Sequence, residues 1–125
     1  MRYTLLLHYP EATEEELGAE AIANGMRAFA SYAEALEKAR VLVSAEVLQP
    51  SVNTTTLHST DGHLHIQDGP LADTKEQLAG TVVIDVPDLD AAIEWARQAP
   101  SLAWGAVEIR PGAIHTVAGV WQPST

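Results

Sequence analysis

From Thr81 to Val86 the chain reads Thr-Val-Val-Ile-Asp-Val, apolar at almost every position, and this run constrains the fold more than any other segment. A strand with one wet face alternates apolar and polar residues, so a nearly unbroken run predicts an interior strand. Such a strand needs partners on both edges. Residues 2–9 supply one, alternating around Tyr3, Leu5 and Leu7 with Leu6 and His8 on the other face, until Pro10 stops the pattern. Val41–Leu48 is β-rich and ends before Pro50, and Val107 with Ile109 marks a closing strand.

Helical periodicity fills the gaps between these strands. Thr13 stands three residues before Glu16, the spacing of a capping box. Ile22, Met26, Phe29, Ala33 and Leu36 then recur at intervals of three and four, predicting one buried stripe on a helix that reaches about Ala39. Lys38 and Arg40 suit its negative end. Gly18 and Asn24-Gly25 weaken the early turns and leave open one bent helix or two. A second helix follows Pro87-Asp88, with Leu89, Ala92, Ile93 and Ala96 as its expected apolar face and Pro100 as its close. Between the two units, Val52–Ser59 and His63–Gln67 flank Asp61-Gly62, a favoured hairpin turn, and their polar character predicts an exposed insertion. Ile114–Trp121 alternates like one extra strand, free to extend the sheet or cross to another subunit.

The order strand, helix, strand with hairpin, strand, helix, strand is that of a split βαβ unit, an α+β ferredoxin-like sandwich with helices on one face of an antiparallel sheet. All 125 residues fit a single domain of ordinary size. A sheet covered on one side leaves its second face wet, which predicts a homodimer.

Composition narrows the partners. Seventeen acidic residues against seven basic ones give a formal charge of −10, which repels phosphate backbones and anionic membrane surfaces; neither nucleic acid nor membrane is expected. The absence of cysteine excludes disulfides and thiol nucleophiles. The opening has too short an apolar run for a signal core or a membrane span, so a cytoplasmic location is expected.

The segment Asp68-Gly69-Pro70-Leu71-Ala72-Asp73-Thr74-Lys75-Glu76-Gln77-Leu78-Ala79-Gly80 resembles the signature of the YCII-related (DGPF) family. Ile84–Asp90, Gly105–Pro111 and the Leu-Gln-Pro ending at Pro50 are similar to its neighbouring segments. Leu71 stands where the naming aromatic is usual, Asp73 where glutamate is, and Ala79 where the first of two glycines is. The resemblance implies a dimeric α/β barrel enclosing a cleft, and two functional classes. One is a small-molecule binder, with relatives that resemble a lyase-type dehydrochlorinase. The alternative is a non-catalytic regulatory module that meets an extracytoplasmic-function sigma factor or another protein.

Within the first class, His8 is the candidate general base, and by family analogy Asp68 is the carboxylate that orients it. Gly69 and Pro70 would shape the turn beside the ligand, and Lys75 would attract an anion. Glu46 and Arg110 are candidate ligand contacts, Glu46 alternating with Ser44 and Leu48, and Arg110 sharing a strand face with Glu108. His58, His63 and His65 have hairpin spacing, but no metal site is assigned to them and no cofactor is expected.

Overall fold

A computed structural model describes residues 1–125. In chain order the elements are β1 (Arg2–Pro10), α1 (Glu14–Leu17), α2 (Ala19–Lys38), β2 (Leu42–Val47), β3 (Thr55–Thr60), β4 (His63–Asp68), β5 (Glu76–Asp85), α3 (Leu89–Arg97), β6 (Ala106–Pro111), β7 (Ile114–Val117) and β8 (Val120–Pro123). The main sheet has the order β2-β5-β1-β6, with every neighbouring pair antiparallel. This α+β arrangement is compatible with a ferredoxin-like fold, and the apolar run of β5 takes an interior place in it.

Alternation decides which face is dry. Tyr3, Leu5 and Leu7 of β1 and Val82 and Ile84 of β5 are buried, and they share one core with Tyr32 and Leu36 of α2 and Ala92 and Ala96 of α3. The opposite face carries Thr4, Leu6 and His8 of β1 and Thr81 and Val83 of β5, all only half-buried. No helix lies over that second face, so β5 is covered on one side only.

The first helical unit breaks in two. Thr13 caps α1 by accepting a hydrogen bond from the Glu16 amide at 3.2 Å, and Gly18, at φ +86°, separates α1 from α2. A left-handed residue costs glycine nothing there. At its far end α2 closes in a Schellman motif, the Val41 amide bonding the Leu36 carbonyl and the Arg40 amide that of Glu37, with Arg40 itself at φ +60°.

The expected stripe on α2 is corrected at one position. Met26 is exposed, and the core-facing row runs through Gly25, Phe29, Tyr32 and Leu36. The cause is Trp104, whose ring lies 3.5 Å from where a methyl on Gly25 would sit and packs on Phe29 and edge-on against Tyr9. On α3, capped by Asp88 accepting from the Ala91 amide at 2.9 Å, Leu89 and Ile93 are also exposed; the short side chains of Ala92 and Ala96 bring the helix close to the sheet.

Two hairpins stand outside the main sheet. β3 pairs only with β4, and β7 only with β8, so residues 114–121 form a separate hairpin and not one added strand. Both turn through two residues with positive φ, Asp61-Gly62 and Ala118-Gly119, the type I′ geometry that matches strand twist. Ser124 ties the second hairpin back, accepting from the Arg2 amide and donating from its own amide to the Ala113 carbonyl.

Candidate functional site

Pairing register places the polar residues of the open face in rows. Glu46 of β2, Thr81 of β5, Leu6 of β1 and Glu108 of β6 lie side by side across four strands, and Ser44, Val83, Thr4 and Arg110 form the next row. His8 follows Leu6 by two residues and therefore shares its face, at the end of the sheet where β1 finishes and β5 begins. A bulge in the β1–β5 pairing between Leu7 and His8 leaves Ala79 without an opposite number. Gly105 makes the close approach of β6 possible here, since a methyl at that position would overlap the His8 carbonyl.

Register also gives His8 a carboxylate. Its Nε2 lies 2.5 Å from Glu108 Oε1, with the imidazole 24% exposed and the carboxylate 53%. The approach is close but off the direction of a hydrogen bond, so Nε2 is shielded from water without a well-directed partner. A ring nitrogen against a carboxylate, with an open face above it, can hold and release a proton. Tyr9, next along β1, turns to the core side, where burial raises its phenol above the usual range.

Asp68 ends β4 on the inserted hairpin. No hydrogen bond or ion pair joins it to His8, although the hairpin leaves the sheet at the same end. Gly69 takes φ +99° and donates its amide to the Thr54 carbonyl at 2.8 Å, while its own carbonyl accepts from the Thr56 hydroxyl at 2.7 Å. Gly69 and Pro70 thus shape the turn. Lys75 is exposed and free of any ion pair, as is Arg110. Gln77 is buried and donates to the Thr74 carbonyl at 2.8 Å, which pins the signature loop to the start of β5. Glu11 anchors the other side by accepting from the amide and hydroxyl of Ser51 at 2.6 and 2.9 Å. His58 and His65 oppose each other on the hairpin, and no group of three or more potential metal ligands converges in the structure.

Sequence reasoning missed Glu108 as the partner of His8. The signal available was its shared face with Arg110, which says nothing about which strand lies next to β6.

A separate concavity of about 260 Å³ opens between α2 and β2, lined by Leu7, Phe29, Tyr32, Leu36, Val47 and Val82 among others, with Glu46 its one charged residue. It contains no acid–base pair and is less suited to chemistry than the open face. No helix is long and apolar enough to cross a membrane.

The profile of the YCII-related domain matches residues 1–112. An uncharacterised protein of Rhizobium meliloti (strain 1021) is 31% identical over 117 residues, which cover 92% of this chain and 94% of that protein. With the match taking in every strand of the main sheet and the signature loop, the chain belongs to the YCII-related family.

Proposed function

We propose that the protein binds a small organic anion over the open face of its main sheet and exchanges a proton with it through His8, in lyase- or isomerase-type acid–base chemistry. The observation that carries this reading is the His8–Glu108 pair on that face, 2.5 Å apart. Glu108 holds the imidazole in place on the open face. Arg110, two residues along and free of an internal carboxylate, supplies the charge that receives the anion. Lys75 adds a second cation near the sheet end.

A face that is open to bulk water is a poor reaction vessel, and a second copy is the cover. A folded monomer of this mass exposes about 6,500 Å², whereas this chain exposes 8585 Å². The excess, about 2,000 Å², is more than twice the roughly 800 Å² that each partner contributes to an ordinary interface. The reading is therefore a homodimer with a cleft between its protomers.

A thermal-shift panel of small carboxylic acids and their neutral methyl esters tests it. Some acids should raise the melting temperature of the native protein while their esters do not, and Arg110→Gln should abolish the difference. An unresponsive panel, or shifts that persist in both Arg110→Gln and His8→Gln, would overturn the reading.

A further inference from the structure

The inserted hairpin is built to lie on something that a single chain does not provide. Its register puts Leu57, Leu64 and Ile66 on one face, at 59%, 62% and 65% exposure, together with Thr55 and Ser59, and Thr56, Thr60, Gln67 and the three histidines on the other. It packs chiefly on itself and not on the main sheet. An isolated two-stranded hairpin is marginal in water, and an apolar face is what docking would use. Alternation places Asp68 on that same face, two residues beyond Ile66.

We propose that each hairpin lays its Leu57, Leu64 and Ile66 face on the open sheet face of a second copy, bringing its Asp68 to the partner's His8 and leaving Arg110, two rows along, for the ligand. Each cleft is then completed by both chains. This rests on the dimer of the preceding reading and names how it is assembled. The occupant is a second copy because the exposed area exceeds what a monomer of this mass shows by more than an ordinary interface consumes.

Charge selects the receiving surface. A carboxylate carried into an apolar contact needs a cation or a hydrogen-bond donor. The open face carries the His8 imidazole, whose Nε2 lacks a directed partner, and the guanidinium of Arg110, alongside the carboxylates of Glu46 and Glu108. The concavity between α2 and β2 has no cation in its lining. Leu6 and Val83 give the hairpin apolar ground, one within each of the two rows. The carboxylate that the family resemblance assigned to His8 thus reaches it from the other chain, while Glu108 serves it from within.

The chain has no cysteine, so engineered thiols report without background. Leu6→Cys and Ile66→Cys proteins carrying tags of different size are mixed, allowed to exchange subunits and treated with a short bis-maleimide. A mixed-mass product linking position 6 of one chain to position 66 of the other is expected. In parallel, Leu57→Asp/Ile66→Asp should run as a monomer by light scattering with an unchanged circular dichroism spectrum, because neither side chain belongs to its own chain's core. A dimer that yields only 6–6 or 66–66 products, or that survives the double aspartate, would overturn the hairpin's role while leaving the dimeric cleft standing. A native protein that is monomeric at every concentration would remove both.

Discussion

Tyr32 carries a hydroxyl into the core and satisfies it by donating to the Trp95 carbonyl at 2.7 Å, linking α2 to α3. Burial pushes its pKa from 10.0 up to about 12. A raised folded value means that the native state holds its proton longer than the unfolded chain does, so stability from this group is complete below about pH 10 and is lost as pH rises through about 12. Tyr32→Phe should cost about 1 kcal/mol at neutral pH, the net worth of a hydrogen bond, and should flatten the fall in stability above pH 10. Urea titrations at a series of pH values measure both; parallel curves for the two proteins would refute the pH part. At the same scale, His8 was legible as a candidate base because strand alternation set it apart from Tyr3, Leu5 and Leu7. Its neighbour Glu108 was not, since adjacency across strands depends on register that no local pattern reports.

At the scale of elements, caps and turns follow local chemistry closely. Thr13, Asp88 and Asp61-Gly62 take the roles their residue types predict. The C-terminal hairpin is the exception, because its turn is Ala118-Gly119 with Ala118 at φ +49°. Alanine lacks a favourable left-handed state, and that is why the segment reads as one strand when no turn signal interrupts it. Ala118→Asn would restore the preferred Asn-Gly pair and should stabilise the protein by about 0.5–1 kcal/mol, read as a higher midpoint in thermal denaturation. An unchanged or lower midpoint would show that the turn carries no strain. The helix faces were only partly legible: periodicity found the stripe on α2, but Met26 lost its place to Gly25 because Trp104, far along the chain, occupies the space above it.

At the scale of the whole molecule, the exposed area and the two projecting hairpins are what the proposed dimer would use. A dimer that is coupled to folding gains stability by mass action. The melting temperature should therefore rise with protein concentration, and light scattering should give twice 13.4 kDa. A concentration-independent midpoint together with the single-chain mass would contradict the assembly.

The strands of the main sheet, the interior strand among them, and the signature loop were legible in the sequence alone, because each rests on contacts or turns within a few residues; the split of the first helical unit and of residues 114–121 was not. The sequence also determined that one sheet face would lack cover, since two amphipathic helices cannot protect both. Only the tertiary structure decided what stands on that face. Four strands brought Glu46, Thr81, Leu6 and Glu108 into one row from positions scattered over the chain, and it was their pairing that set Glu108 against His8 and left Asp68 on a hairpin with its apolar face uncovered.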